Sequence, residues 1–335
     1  MKVLVLTTSY PRSADDVAGV FVHDAVEHLR AAGVDVDVVS PASFRHFGIA
    51  YGHGIVGNLR RRPWLALLVP LFLASFARAA RRAANDVDLV HAHWLPSALP
   101  ALATGKPFVV QLWGSDAELA RRAPWAFRWL VRRAKGALAA SGDLAELGGK
   151  LGAHAFSVVQ GVEIPESTVE PEEPPHVLYV GRLSEEKGVR ELAEATEGLA
   201  RVVVGDGPMR HLFPDAVGFV QPGELGRYYE RASIVVCPSR REGYGVVARE
   251  AMAYGRPVVA TAVGGLTDAV EHEVNGVVVP PEDPAALRAA IRRLLADPDL
   301  RRKLGEAGRD VARVEWSWHV AVGSLRVVYE RVLEP

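Results

Sequence analysis

Cysteine and lysine are scarce in this sequence. Its 335 residues include one cysteine, Cys237, which leaves no pair for a disulfide and fits a reducing compartment, so we expect a cytoplasmic protein. One cysteine also provides no Cys/His zinc motif, and we expect neither a bound metal nor a cofactor. The formal net charge of −1 argues against a nucleic-acid partner on bulk electrostatics.

Long hydrophobic runs are also missing. The N-terminus has neither the charged region nor the small-residue cleavage site of a secretory signal. The most apolar stretch, residues 64–77, is about 14 residues long, whereas a bilayer span needs roughly 20. It also contains Pro70, which would interrupt a helix. We therefore expect no transmembrane helix.

The composition that is present is typical of a soluble α/β enzyme. At about 150 residues per domain the length corresponds to two domains, and 49% apolar with 24% charged residues excludes a disordered chain. Short β-branched runs alternate with longer helical patterns, which predicts parallel sheets covered by helices on both faces. Six strand patterns precede a proline-rich acidic segment at 163–175, and six follow it, including VGFVQ at 217–221.

That acidic segment cannot bury apolar surface and marks a domain boundary. We predict one domain over 1–164 and a second over 165–316. The last residues, 317–335, have the pattern of an amphipathic helix, which we expect to pack back on the first domain.

The strongest motif is REGYGVVAREAMAYGRPVVAT at 241–261, directly after a strand pattern. Its glycines predict a loop whose backbone N–H groups can approach a phosphate, followed by a helix whose N-terminus favours anions. Glu242 and Glu250 would stand roughly 12 Å apart along such a helix. That spacing suits one carboxylate on a sugar and another on a ribose, with a diphosphate between them. The alternative is a solvent-facing glutamate pair near a helix start.

A second motif, VGRLSEEKGVREL at 180–192, again follows a strand pattern. Arg182 and Lys187 can face one anion from the same loop, since arginine supplies a fork of donors and lysine a compact charge. The alternative is a solvated loop in which Glu185 and Glu186 pair with these bases.

These motifs carry a family resemblance. The runs GRLSEEKG, GDGP, EGYGVVAREAMAYGRPVVAT and GGLTDAV resemble the retaining GT-B glycosyltransferases of the family glycosyl transferases group 1, whose most specific element is Glu-x7-Glu. In the first half, YPRSADDVAGVFVHDAVEHLRAAG and VHAHW resemble the N-terminal domain of that family. The resemblance implies an α/β GT-B fold with two Rossmann-like domains whose parallel sheets face an interdomain cleft.

The resemblance also implies roles for individual residues. Arg182 and Lys187 match the pair that neutralises the donor diphosphate, while Glu242 matches the carboxylate on the donor sugar and Glu250 the carboxylate on the ribose. Gly19 matches the glycine that lets the N-terminal domain close on the diphosphate. Further phosphate and sugar contacts would come from the backbone amides of Tyr244, Gly245, Val246 and Val247. No metal is required, because fixed cations and a helix N-terminus can stabilise the leaving diphosphate.

The chain departs from the family at one position. Trp113 stands where the family commonly has a histidine, so the role of that histidine does not carry over. His93, at a predicted strand end, and Asp116 are candidates to line the cleft instead, although a strand-end histidine is equally expected to be structural. Glu224 lies near the expected position of the nucleotide base.

Residues 45–82 contain seven arginines and lie within a stretch, 38–85, that has no acidic residue. An apolar helix flanked by arginines can lie on an anionic membrane, with aromatic side chains at the interface. The alternative is a core helix with basic ends. The sequence thus allows peripheral contact with the inner face of the cell membrane.

The family resemblance therefore implies a metal-independent retaining hexosyltransferase. It would move a sugar from a UDP- or GDP-linked donor to an acceptor hydroxyl of a sugar or of a lipid-linked or cell-envelope glycan, in polysaccharide biosynthesis. One alternative is a nucleotide-sugar epimerase of similar fold, and another is a pair of domains that only binds a ligand. Asp-x-Asp sequences at 35–37 and 86–88 favour strands with exposed aspartates over a metal site.

Overall fold

The computed structural model describes residues 1–13, 16–52 and 54–334, apart from the side chains of residues 117, 118, 121 and 122. The chain divides into two compact units. The first comprises residues 1–160 together with the chain from Ala321 onward, and the second comprises Gly161–Val320.

The first unit is built on a six-stranded parallel sheet with the order β2-β1-β3-β4-β5-β6. Its strands are β1 (Lys2–Leu6), β2 (Asp35–Val39), β3 (Leu89–His93), β4 (Phe108–Leu112), β5 (Gly136–Ala139) and β6 (Ala155–Ser157). The central strands are buried on both faces, which explains their continuous apolar runs. On the edge strand β2, Asp35 and Asp37 are exposed while Val36 is buried, the alternation expected of a strand.

Helices cover both faces of this sheet. They are α1 (Val20–Ala31), α2 (Gly54–Arg61), α3 (Val69–Ala83), α4 (Ala98–Ala103), α5 (Gly114–Arg122), α6 (Pro124–Val131) and α7 (Gly142–Lys150). Leu4 and Leu6 of β1 join one core cluster with α3 and α4. Val3 and Val5 face the other way and pack with α1 and with the part of the last helix, α14 (Trp318–Leu333), that belongs to this unit.

Residues 63–83 form a helical segment of 21 residues that would suffice for a membrane span by length and composition. Its most apolar window of 18 residues has a mean hydropathy of 1.6 and is 22% buried. The expected interruption by Pro70 is wrong. A 3₁₀ helix at Pro63–Leu68 leads into α3, and Pro70 lies in the first turn of α3, where a missing N–H costs nothing. Phe72, Phe76 and Ala80 anchor α3 in the core.

The second unit has a five-stranded parallel sheet with the order β11-β10-β9-β7-β8. Its strands are β7 (Val177–Val180), β8 (Arg201–Val204), β9 (Ile234–Cys237), β10 (Val258–Thr261) and β11 (Gly276–Val279), and its helices are α8 (Val189–Ala195), α9 (Gly226–Arg231), α10 (Val246–Ala253), α11 (Gly265–Ala269), α12 (Pro284–Ala296) and α13 (Pro298–Val311). Two such Rossmann-like units confirm the predicted α/β fold class.

The strand predicted at 217–221 is wrong. Gly218 forms only isolated bridges, to Val204 and Gly205, and its φ of 92° lies outside the extended region. Val217 and Phe219 are 48% and 58% exposed whereas Val220 is buried, so two of the three valine and phenylalanine side chains of this segment face outward instead of filling a sheet. A short apolar run alone does not distinguish a buried strand from an irregular segment.

Candidate active site

Two loops of the second unit meet beyond the carboxyl ends of β7 and β9, the edge where α/β sheets bind ligands. The loop after β7 carries the exposed Arg182 and, at the end of a single 3₁₀ turn, Lys187. Gly188 follows with φ 66°, and a Cβ there would lie 1.8 Å from the carbonyl oxygen of Pro238. Only glycine allows this approach, which places Lys187 against the loop after β9.

Lys187 and Glu242 form the central ion pair of this site. The Lys187 Nζ lies 2.6 Å from Glu242 Oε2, and the two side chains are 30% and 19% exposed. Glu242 also accepts hydrogen bonds from the Ser239 hydroxyl at 3.4 Å and from the Gly243 N–H at 3.1 Å. Two residues 55 positions apart are thus held together at the mouth of the strands, in reach of solvent.

The N-terminus of α10 follows directly. Gly245 adopts φ 79° and precedes the first helical residue, Val246. Gly265 packs so closely on this loop that a Cβ would come within 2.5 Å of the Tyr244 Cα. The first turn of an α-helix has backbone N–H groups without helical partners, and the helix dipole adds positive potential there. Tyr244, Gly245, Val246 and Val247 therefore lie where backbone donors can hold an anion.

Arg249 is a residue that the motif analysis missed. It is 2% exposed and donates to the carbonyl oxygens of Tyr244 and, at 3.3 Å, of Gly265. Its guanidinium lies 3.8 Å from the centroid of the Tyr244 ring and 4.8 Å from that of Trp316. Burial lowers its pKa. Arg249 thereby holds the carbonyl groups of the glycine loop on its inner side and adds a buried positive charge beneath the helix N-terminus.

Glu250, further along α10, accepts a hydrogen bond of 2.6 Å from the Tyr229 hydroxyl. Tyr229 is 1% exposed on α9, and burial raises its pKa well above 10, so it remains a donor. Glu224 lies in the turn before α9 and pairs with Arg227 at 3.7 Å, with 58% of its side chain exposed. The hydrogen bond between Tyr229 and Glu250 thus links α9 to α10.

Arg240 is a second residue that the motif analysis missed. Its guanidinium contacts Glu191 of α8 at 2.6 Å and Glu185 at 3.2 Å, and its backbone N–H donates to the Glu186 carbonyl oxygen at 2.9 Å. Glu185 thus pairs with Arg240 from another loop and, at 3.9 Å, with Arg190. Arg240 fastens the loop of Glu242 to the loop of Lys187.

In the first unit, Gly19 immediately precedes α1 with φ 70°, and a Cβ there would lie 2.2 Å from the Ser9 carbonyl oxygen. This position requires glycine on two grounds, the left-handed backbone and the close approach. Residues 14 and 15 of the same motif lie outside the described residues.

His93 is 4% exposed at the end of β3, which does not match the expectation that it lines a cleft. Its ring stacks against His91 and Trp113, with centroid distances of 4.3 and 5.9 Å. Burial lowers the pKa of His93 well below 6.5, and that of His91 to about 3, so both rings are neutral. The two histidines and Trp113 line a cavity of about 20 Å³, room for about one water molecule and none for a sugar.

Asp116 is also buried, with 1% exposure. Its carboxylate accepts the N–H groups of Leu95 at 3.0 Å and Trp113 at 2.8 Å, which ties the start of α5 to the segment after β3. Burial raises its pKa to about 7. These contacts make Asp116 a helix-capping and loop-positioning group, with both carboxylate oxygens facing the backbone instead of a cleft.

Among the described residues, no group of three or more His, Cys, Asp or Glu side chains is arranged to hold a metal ion. Cys237 is buried at the end of β9, and burial raises its pKa to about 12. It therefore remains a thiol at neutral pH and is not a nucleophile.

Two Rossmann-like units with these strand-end loops define a GT-B glycosyltransferase fold. The family model described as Glycosyl transferases group 1 matches residues 162–311, and that described as Glycosyltransferase Family 4 matches residues 18–160. The chain belongs to the group 1 glycosyltransferases and is a transferase enzyme, as the sequence predicted.

Similar proteins agree with this assignment. TuaC of Bacillus subtilis, a glycosyltransferase assigned to teichuronic acid biosynthesis, is 30% identical across 88% of this chain and 89% of its own length. Two other curated relatives match over less than half of their length. A sucrose-phosphate synthase structure from Thermosynechococcus elongatus aligns with a TM-score of 0.81 and 24% identity over 99% of this chain and 98% of that one. The structure of HepE from Anabaena with UDP-glucose has a TM-score of 0.74 and 18% identity over 98% and 100%.

Proposed function

We propose that the protein transfers a hexose from a UDP- or GDP-linked donor to an acceptor hydroxyl, with retention of configuration at the anomeric carbon and without a metal. The observation that carries this proposal is the Lys187–Glu242 pair beside the glycine loop and the N-terminus of α10. The HepE structure, which contains UDP-glucose in the same fold, supports a nucleotide sugar as the donor.

In this proposal the cations act on the leaving group. Bond cleavage leaves negative charge on the diphosphate, and Arg182, Lys187 and the backbone N–H groups at the start of α10 stabilise that charge. Glu242 accepts hydrogen bonds from the donor sugar, and Glu250 from the ribose. When Lys187 turns from Glu242 to the phosphate, Glu242 exchanges its ammonium partner for sugar hydroxyl groups.

Retention requires the acceptor to arrive on the face from which the diphosphate leaves. The bond between the anomeric carbon and the phosphate oxygen breaks, and the acceptor oxygen forms the new bond on the same side. The acceptor proton passes to the leaving phosphate oxygen. Since the diphosphate serves as the base, the buried and neutral His93 and the backbone-bound Asp116 are not needed for proton transfer.

For the acceptor we propose a cell-envelope glycan, reached at the inner face of the cell membrane. The relative assigned to teichuronic acid biosynthesis supports a polysaccharide pathway. Trp64, Leu67 and Leu71 are 57%, 82% and 53% exposed, next to the exposed Arg60–Arg62 run. Apolar and aromatic side chains beside arginines are the pattern of a surface that lies on anionic lipid.

The test uses Lys187→Met and Glu242→Gln, with Arg302→Met as a control because that arginine belongs to an exposed ion pair of the same unit. A thermal-shift panel of nucleotide sugars first identifies the donor, which stabilises the folded chain by mass action. Transfer to acceptor glycans is then measured with that donor.

A cation about 4 Å from a phosphate in a partly exposed site is worth up to about 4 kcal/mol, so we expect kcat/KM to fall by roughly 10² to 10³ in Lys187→Met. Glu242→Gln weakens charged hydrogen bonds to the donor sugar, worth about 1.5–3 kcal/mol, so we expect kcat/KM to fall by roughly 10 to 10² there. The control should transfer at the wild-type rate. Near-normal turnover in Lys187→Met would contradict the assigned role, and an epimerised donor without acceptor would identify an epimerase instead.

A further inference from the structure

The first unit contains a large apolar cavity of about 660 Å³. Fifteen described side chains line it, all of them apolar, and they come from α2, α3, α6 and the segments that follow β2, β3 and β4. This volume is within the range of about 300–1,000 Å³ found for small-molecule sites, but such sites normally also contain polar groups that orient a ligand. The lining therefore suits a hydrocarbon and does not suit a sugar.

The cavity lies beside the strand ends on which the acceptor is expected. Leu95 lines it and comes two residues after His93, the last residue of β3. Leu119 lines it from α5, the helix that directly follows β4. Since ligands of α/β sheets bind at the carboxyl ends of the strands, the cavity adjoins the region where an acceptor would be held.

The mouth of the cavity is open to solvent. Trp125, Trp129 and Leu99 line it and are 77%, 50% and 40% exposed. A second apolar hollow of about 500 Å³ continues along α3 and shares Val69, Leu73 and Leu99 with the first. Exposed apolar surface on this scale marks an interaction site.

Positive charge borders both ends of this apolar surface. Arg60, Arg61 and Arg62 directly follow Leu59, a lining residue of α2. At the other end, Arg78, Arg81 and Arg82 of α3 lie around a third hollow that shares Ala74, Ala77 and Ala103 with the second. With no acidic residue between Asp37 and Asp86, these arginines complement a phosphate-bearing headgroup.

We propose that this cavity holds the hydrocarbon chain of a lipid-phosphate-linked acceptor, whose phosphate meets the Arg60–Arg62 run. The inference rests on the proposed function and specifies its acceptor. A bilayer presents a flat face and needs no enclosed space, whereas a cavity beside the strand ends fits one chain of the acceptor itself. The enzyme would then recognise the lipid as well as the sugar of its acceptor.

The experiment measures binding of dodecyl phosphate, below its micellar concentration, to the full chain by calorimetry, with inorganic phosphate and phosphatidylglycerol vesicles as comparison probes. Leu99→Arg introduces a charge at a partly exposed lining position, and Ala126→Trp fills the cavity without a charge. Val327→Arg is the matched control, since Val327 is 62% exposed on α14 and is not a lining residue.

We expect dodecyl phosphate to bind the wild type and inorganic phosphate not to bind. Leu99→Arg and Ala126→Trp should each lower the affinity for dodecyl phosphate at least tenfold, and Val327→Arg should leave it unchanged. Equal binding to Leu99→Arg and to the wild type, or binding of vesicles without binding of dodecyl phosphate, would overturn the proposal. Failure of the proposed function gives a different result, because no nucleotide sugar would then stabilise the wild type or the variants. If only the lipid-binding inference fails, the donor-induced thermal shift persists in all of these proteins.

Discussion

The pH dependence of stability offers a direct test of the buried carboxyl group of Asp116. Burial raises its pKa to about 7 in the folded chain, against 3.8 as the ordinary value. As the pH rises, the unfolded chain therefore loses this proton first, which favours unfolding. The contribution of Asp116 to stability is complete below pH 3.8 and is lost as the pH rises through about 7.

The magnitude follows from the two pKa values. At 1.36 kcal/mol per pH unit, the difference between about 7 and 3.8 amounts to about 4 kcal/mol, of which about 2–3 kcal/mol falls between pH 5 and 8. Asp116→Asn removes this dependence. Its amide oxygen still accepts one of the two N–H groups, which belong to Leu95 and Trp113. The other N–H group loses its acceptor, which lowers the free energy of unfolding by about 1–3 kcal/mol at every pH.

Urea unfolding of both proteins between pH 5 and 8, followed by tryptophan fluorescence, gives the free energy of unfolding at each pH. The free energy of unfolding of the wild type minus that of the variant should fall by about 2–3 kcal/mol over this interval, because the contributions of all other titrating groups cancel in the difference. Asp299→Asn, at a carboxyl group 84% exposed, is the control for the substitution itself. A difference that stays constant from pH 5 to 8 would refute the reasoning.

Two further substitutions test the site by other means. Gly19→Ala should lower the free energy of unfolding by about 2–4 kcal/mol, since it combines a left-handed backbone with a Cβ 2.2 Å from a carbonyl oxygen. Gly33 has φ 81° and open space around it, so Gly33→Ala should lower the free energy of unfolding by only about 1 kcal/mol in the same urea titration. Equal losses in the two variants would show that the close approach at Gly19 does not contribute. Tyr229→Phe removes the donor to Glu250 and should raise the KM for the nucleotide sugar about tenfold with kcat retained. A fall in kcat at constant KM would contradict a role of Glu250 in donor binding.

Most of the fold could be predicted because parallel strands buried on both faces leave continuous apolar runs, as in β1, β3 and β4. The same rule failed at 217–221, where Val217 and Phe219 of a short apolar run face solvent. The proximity of Lys187 and Glu242 could be expected, since both follow strands of one parallel sheet and thus emerge at one edge.

Other parts of the site could not be predicted, and the reasons are physical. Arg249 acts through backbone carbonyl groups, which leave no trace in a side-chain pattern. Arg240 meets Glu191 across 49 residues of sequence. Histidine and aspartate occur both as catalytic groups and as buried structural groups, so only the exposure of His93 and Asp116 in the folded chain separates the two roles. A proline breaks a helix in its interior but is favourable in its first turn. Only the position at which α3 begins shows that Pro70 is of the second kind.

The division of the chain has a consequence for the order in which it folds. The second unit is one uninterrupted segment, Gly161–Val320, so every residue of its sheet has been synthesised before the chain reaches α14. The first unit is different, because Val322, Leu325, Tyr329 and Val332 fill the core against Val3 and Val5. During synthesis, the part of the first sheet that α14 covers stays open while the whole second unit is translated, and the core of the first unit is complete only once α14 has been made.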